Sequence, residues 1–466
     1  MFESEQSPRP DGNIFERMMF RKVDLWVLIL LSLIGIVLAL LFGAAVRYYH
    51  RGGTALGEFG AAVDALAALP SNAVKVIGAI QPASALLAVE QRFAGQSGFA
   101  FHYAPGSRPD LGYVLLNRYN ADRRQSVVEL RDLNTQQAIH EWHFGSVDGV
   151  WSKSQLRSAT NFRVDRRGVR FRPVHALLLT DGRLVAADTS PMVEADVCSS
   201  LSLFEDSFIA HHSIEQNTSK GFWVPIRIEP KTVPFGGPGF WEDGIAMFDS
   251  NGETTFHKSL VDILSANGLS ILLEGRGPTN GDPTHLNDVE PVIKGGEYWK
   301  EGDVFLSLRH QSMVILYRPA TGRILWYREG PWVHQHDVDV IDDHRIMVFD
   351  NNAVPSETGR KRVRGTNRAL IYDFRTDTVT SPWQQGFSKL DLRTPEEGLA
   401  DAVGSEIMVE ETLHGRLVQF AADGRISWQF VNRAKDGRTY YLNWSRYIPR
   451  ALGDEAVAAI RRTKCD

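Results

Sequence analysis

Two hydrophobic patterns divide the chain. Leu25 to Val46, LWVLILLSLIGIVLALLFGAAV, is a run of 22 residues without a charge. As a helix rising about 1.5 Å per residue it reaches roughly 33 Å, enough for a hydrocarbon core of about 30 Å. From about residue 98 the apolar residues come instead in short runs separated by polar turns. One unit recurs: an apolar run, a turn containing Asp, Asn, Thr or Gly, then a second run that often carries tryptophan. It reads VVELRDLNTQQAIHEWHF (127–144), AMFDSNGETTFHK (246–258), VILYRPATGRILWYRE (314–329), LIYDFRTDTVTSPW (370–383) and LVQFAADGRISWQF (417–430). Each predicts a β-hairpin whose turn residues supply the required backbone angles. Between the two patterns, TALGEFGAAVDALAALPSNAVKVIGAI predicts one or two short helices broken at Pro70.

The hairpin turns stand roughly 47 to 117 residues apart, and LLLTDGRLVAAD (177–188) fills the widest gap as a divergent unit. Spacing near 50 residues fits four-stranded propeller blades, so about 350 residues accommodate about six. The fold expected is an all-β propeller over 98–450, preceded by a segment 1–24, a transmembrane helix 25–46 and a helical stalk 47–97, with a tail at 451–466. A pair of β-sandwiches is the plainer alternative. Forty glycines and eleven tryptophans suit such a turn-rich β protein.

Charge places the ends of the membrane helix. Arg9, Arg17, Arg21 and Lys22 precede it, while Arg47 and Arg51 follow. That bias keeps the N-terminus cytoplasmic and the main domain periplasmic or otherwise extracytoplasmic, on a single-pass anchor. A cleaved signal peptide is the alternative; GAA before Arg47 imitates a cleavage site, but signal cores are usually shorter, about 7–15 residues. A net charge of -5 gives no reason to expect nucleic acid. The only cysteines, Cys198 and Cys465, are far apart and make neither a disulfide framework nor a zinc site, and pairing between them is not expected.

Histidine and arginine interrupt several apolar runs. GPWVHQHDVDVI (330–341) read as a strand puts His334, His336, Val338 and Val340 on one face and Gln335, Asp337, Asp339 and Ile341 on the other. HHSIEQNTSKGFWV opens with His211 and His212, and DPTHLNDVEPV contains His285, Asn287, Asp288 and Glu290. DVFLSLRHQSMVILY reads as one strand with Arg309 and His310 in its middle, where charge is costly unless paired or facing a cavity. Taken singly, each histidine is more often structural. In a propeller, however, innermost strands line a central channel where such residues converge.

The ordered set HLND, SLRHQ, YRPATGRILW and QHDVDVIDDHRIMVFDNN resembles the bacterial aryl sulfotransferases that use phenolic sulfate esters as donors. HHSIEQNTSKGFW and GYVLLN…VVELRDLNTQQAIHEW are similar to earlier blades of that family, so the resemblance spans about 98–450 and is most specific from 205 to 352. It implies a six-bladed propeller and a transiently sulfated histidine, with no cofactor and no metal. On matching positions it implies His336 as nucleophile, with His285, Arg309 and His212 as further catalytic groups. Asn287, His211 and His334 are expected to bind substrate, with the choice between His211 and His212 left open by their adjacency. The partners implied are a phenolic sulfate and a phenol acceptor; a homodimer is left open. The chain departs from the best-known members in its membrane anchor and in lacking a cysteine pair near the site.

Residue chemistry agrees with that implication. A neutral imidazole can attack sulfur and split the transfer into two easier steps. Arg309 offers a planar fork for the sulfuryl oxygens and Asn287 a neutral donor, while His285 or one of His211 and His212 can hand a proton to the leaving oxygen. Three other readings compete. A metalloenzyme would use the H-x-H pair with His285 or His212, although an arginine there would repel a cation. A quinone-cofactor propeller would show more regular tryptophan repeats. A non-catalytic, membrane-anchored scaffold would have polar residues that do not converge.

Overall fold

The computed structural model describes residues 24–50, 55–67, 69, 87–88, 92–158, 171–218, 221–233, 240–274, 281–355 and 361–465. The chain divides into two units, Met1–Ile80 and Gln81–Asp466. In the first, the apolar run forms the helix Leu25–His50, with Leu and Ile side chains exposed around it, followed by a second helix, Gly57–Ala67. It is the single described helix long and apolar enough to cross a membrane. The basic residues Arg9, Arg17, Arg21, Lys22 and Arg51, and most of the stalk from residue 70 to 86, lie outside the described residues.

The second unit is an array of antiparallel sheets in a propeller-like arrangement. Four have the repeating four-stranded core of a blade, and an eight-stranded sheet covers Val174–Ser259. All six hairpins read from the sequence form at the expected turns. Strands from the beginning and end of this unit interlock across the array. Gly98–Phe101 adds a strand to the last sheet beside Ile426–Val431, and Arg446–Ile448 becomes the innermost strand of the first, beside Tyr113–Asn120.

Consecutive innermost strands are tied by buried carboxylates. Asp288, on Leu286–Pro291, accepts the backbone N–H of Val338 at 2.8 Å. Asp337, on His336–Val340, accepts that of Ala400 at 2.7 Å. Asp401, on Leu399–Val403, accepts that of Tyr447 at 2.9 Å, and Asp243, on the interior strand Asp243–Phe248 of the eight-stranded sheet, accepts that of Leu286 at 2.9 Å. Each clasp satisfies an inner-edge N–H that has no strand partner on that side.

Several expectations need correction. Alternation along 334–341 fails because His334 lies before the strand and a bulge separates His336 from Val338, with Asp337 at φ 56°. His336 and Val338 then pair with the adjacent residues Phe349 and Val348, so they point to opposite sides, and Val338 enters the apolar core with Trp299 and Val348. Arg309 and His310 are not mid-strand. They form a tight 3-10 turn, Arg309–Gln311, between Val304–Leu308 and Met313–Arg318, closed by Ser312 at φ 50°.

The expected tail is a helix, Arg450–Arg462, which buries Ala456, Val457 and Ile460 against the core of the first sheets. Gly453 lies so close to the Tyr113 ring that a Cβ would sit 2.1 Å from it. The pairing judged unlikely is also present: Cys198 and Cys465 form a disulfide with Cα atoms 5.4 Å apart. Sequence distance misled here, because the helix returns the C-terminus to the turn after Ser190–Ala195, where Cys198 lies. A cross-link over 267 residues restricts the unfolded chain strongly. Cys198→Ser with Cys465→Ser should therefore cost about 2–4 kcal/mol, read as a lower denaturant midpoint; an unchanged midpoint would mean the helix is held by its apolar face alone.

Candidate functional site

The site is assembled from turns and strand beginnings on neighbouring sheets. His212 follows strand Leu201–Ala210 and sits at φ 58°; His285 precedes strand Leu286–Pro291 at φ 49°; His336 opens its own strand. Two backbone bonds dock the arginine turn on the HLN segment: Arg309 N donates to His285 O at 3.1 Å and His310 N to Thr284 O at 3.2 Å.

These turns bring three imidazoles together. The His212 ring centre lies 5.2 Å from that of His285 and 6.2 Å from that of His336, and the Trp444 indole closes the cluster 5.9 Å from His336. His336 is only 1% exposed. Its Nδ1 lies 2.6 Å from Asn351 Oδ1. The amide of Asn351 is fixed because Nδ2 donates to Thr394 O at 3.0 Å and Glu397 O at 2.7 Å. Its oxygen must therefore accept, which makes His336 Nδ1 the protonated nitrogen and leaves the Nε2 lone pair free.

His285 is oriented similarly, by Asp282 Oδ2 at 2.5 Å from Nδ1. Burial holds His212, His285 and His336 well below the ordinary histidine range, and the Arg309 charge adds to this for all three. All three rings are therefore neutral at pH 7.

Arg309 is 3% exposed and shares its fork between His310 Nε2 at 3.2 Å and Glu396 Oε1 at 3.4 Å. The same Glu396 oxygen lies 3.1 Å from Lys361 Nζ, so two cations converge on one half-exposed carboxylate. Next to it, Glu397 grips the Arg172 guanidinium with both oxygens, at 2.9 and 2.6 Å. The strap bearing these glutamates ends at Gly398, φ 90°, where a Cβ would stand 2.6 Å from the Phe349 ring.

Other expected residues stand further back. His211 is behind the trio, its Nδ1 2.9 Å from that of His212, and burial pulls it down to about 4. Asn287 is fully buried and donates to Gln335 O at 2.9 Å, with its Oδ1 unpartnered. His334 is turned toward Ala353 O, 2.7 Å from its Nδ1. Sequence reasoning missed Asp282, Asn351, Lys361, Glu396, Glu397 and Arg172 as members of this environment. Only Asp282, three residues before His285, carried a local signal, as an Asx-type partner for its backbone N–H.

Neighbouring sheets thus bring three imidazoles together beside the buried guanidinium of Arg309. The sequence profile of the arylsulfotransferase (ASST) family matches residues 192–433, more than half of the chain, and the chain belongs to that family. No curated protein matches it. Among solved structures it is similar to a chain of a nidogen/laminin complex at 9% identity, over 72% of this chain and 97% of that one, with a TM-score of 0.42. A streptogramin B lyase is similar at 10% identity over 75% and 98%, TM-score 0.36. Apo AztD from Citrobacter koseri follows at 8% identity over 72% and 97%, TM-score 0.32.

The tautomer of His336 is directly measurable. Nitrogen-15 spectra of the imidazoles should report His336 as a neutral Nδ1–H ring that resists protonation as pH falls through about 6.5. In Asn351→Ala the Nδ1–H preference should fade; a ring that titrates near 6.5 in the parent would contradict the burial assigned to it.

Proposed function

We propose that the chain is a membrane-anchored, extracytoplasmic aryl sulfotransferase that moves a sulfuryl group from a phenolic sulfate ester to a phenol through a sulfo-histidine at His336. The observation carrying this is the Asn351-fixed ring of His336, with its Nε2 lone pair free, beside two further neutral imidazoles and Arg309. A disulfide between Cys198 and Cys465 supports the exported placement, since such bonds persist in oxidising compartments. For the fold we read the eight-stranded sheet as two blades sharing the long strand Leu201–Ala210, which pairs with Ser190–Ala195 near its start and with Phe222–Arg227 at its end. That gives six blades.

In the first half-reaction, His336 Nε2 attacks sulfur, an N–S bond forms and the S–O bond to the aryl group breaks. Arg309 and Lys361 neutralise the sulfuryl oxygens, displacing Glu396. The bound anion offsets the Arg309 charge that depresses His285, raising that ring's basicity so that it holds the proton given to the departing phenolate. In the second half, neutral His285, braced by Asp282, takes the acceptor's hydroxyl proton. The phenolate attacks sulfur, the N–S bond breaks, and the His336 lone pair is restored. His212 lies within reach for the same proton work. Asn287, His211 and His334 support the first layer, Asn287 by fixing Gln335 beside His336. No cofactor enters this scheme.

Incubation with a chromogenic phenyl sulfate tests the reading. Phenol release should depend on an acceptor and give parallel double-reciprocal plots, and donor alone should leave an acid-labile adduct of about 80 Da on the His336 peptide. His336→Ala should remove adduct and turnover. Arg309→Lys should lose about 2–4 kcal/mol of transition-state stabilisation because an ammonium lacks the fork. Intersecting plots, or a label on another residue, would reject the mechanism.

Glu396 provides a separate check. If its half-exposed carboxylate competes with the donor for Arg309 and Lys361, Glu396→Gln should lower the donor KM about two- to fivefold, the value of an exposed ion pair. An unchanged or higher KM would remove Glu396 from the binding step.

A further inference from the structure

The three imidazoles have a capacity that sulfuryl transfer leaves unused. One ring nitrogen from each of His212, His285 and His336 lies within 4.8 Å of the other two. In every ring Nδ1 already has a partner: His211 Nδ1 at 2.9 Å, Asp282 Oδ2 at 2.5 Å and Asn351 Oδ1 at 2.6 Å. Metal-ligating histidines are oriented in this way, with an outer partner fixing one nitrogen and leaving the other for the ion. Arg309 opposes a cation and is only partly offset by Glu396 at 3.4 Å, whereas Arg172 is paired with Glu397.

We propose that His212, His285 and His336 form a site for one zinc-class divalent cation per chain, and that this cation and the sulfate ester exclude each other. Three imidazoles with a fourth position for water suit Zn2+, and imidazole also suits Ni2+ and Cu2+, whereas Ca2+ and Mg2+ require oxygen ligands. Exclusion follows because a metal would consume the His336 lone pair that attacks sulfur. Zinc is then an inhibitor, and chelation never lowers activity. The binding stands on geometry alone; the exclusion rests on the sulfotransfer reading.

Two other groupings of potential ligands supply controls. Asp282, His285 and His310 lie close together, but Asp282 Oδ2 is already bonded to His285. Asp342, Asp343 and His344 form a partly exposed set whose carboxylates pair with Arg345 and Arg375.

The full-length protein, stripped with EDTA in detergent, should be titrated with Zn2+ by calorimetry and with Co2+ by visible absorption. One Zn2+ per chain and a four-coordinate Co2+ spectrum are expected, with Mg2+ silent. Asp282→Asn should weaken Zn2+ binding about 10–100-fold as an outer-shell loss. His212→Ala should weaken it further, and His344→Ala should leave it intact. No stoichiometric Zn2+ binding to the parent, equal binding of Mg2+, or binding lost in His344→Ala would overturn the site. The parent titration and Asp282→Asn decide the matter even if His212→Ala does not fold. In turnover of a phenyl sulfate, Zn2+ should raise the donor KM; inhibition unaffected by donor concentration would overturn the exclusion. Absence of turnover without metal would instead count against the sulfotransfer reading and leave the binding result standing.

Discussion

The molecule depends on a carboxylate accepting a backbone N–H across the seam between two sheets. An innermost strand has one edge paired within its own sheet and the other facing its neighbour, where unpaired N–H groups are expensive to bury. Asp243, Asp288, Asp337 and Asp401 each accept such a group from the next sheet along the chain. A buried bond of this kind contributes about 0.5–1.5 kcal/mol, and losing the acceptor would strand a buried donor. Burial in turn pushes these carboxyls up, to about 7 for Asp288 and about 6 for Asp401. The seams therefore couple sheet-to-sheet register to a polar interior.

That register is what lets the site exist. Its groups lie at the junctions between strands, where the backbone is least regular. His212, His285 and His334 all have positive φ, and His336 stands immediately before a bulge. A non-glycine residue in that region costs of order 1–3 kcal/mol, tolerated only where the surroundings over-determine it. Here the surroundings are the clasps. Asp337, the bulged residue that turns His336 away from the core, is also the residue that binds Ala400 across the next seam. One aspartate fixes both the sheet contact and the direction of the neighbouring ring.

The hairpins were legible because turn chemistry and alternation are local. Arg309 is placed within a strand by its sequence, since SLRHQSMVILY is continuously strand-like on paper, whereas it lies in a 3-10 turn. The turn depends on Arg309 N and His310 N finding His285 O and Thr284 O, bonds made across sequence. The alternation across HQHDVDVI failed for a related reason: a bulge shows no periodic signature. Cys198 with Cys465, and Glu396 with Arg309 and Lys361, are contacts between distant segments that nothing nearby announces. What the sequence retained of the site was its residue types, in order; the supporting layer of Asn351, Asp282 and the glutamate strap emerged only with the fold.

Neutral imidazoles persist among the charges of that layer because burial and the Arg309 guanidinium both disfavour a further cation. Arg309 and Lys361 close on Glu396, Arg172 closes on Glu397, and Asp282 faces His285. Three cations meet three anions, so the trio sits in a nearly neutral pocket, and burial outweighs the remaining attraction for protons. The balance is not symmetrical. Arg172 is gripped by two oxygens, whereas Arg309 holds Glu396 through one contact at 3.4 Å, and Glu396 is half-exposed. A planar guanidinium held by one neutral ring nitrogen and one long carboxylate contact keeps much of its bidentate capacity for an anion unused. An incoming oxyanion would therefore displace Glu396 before Glu397, meeting Arg309 while Arg172 still anchors the strap that orients Asn351 and, through it, His336.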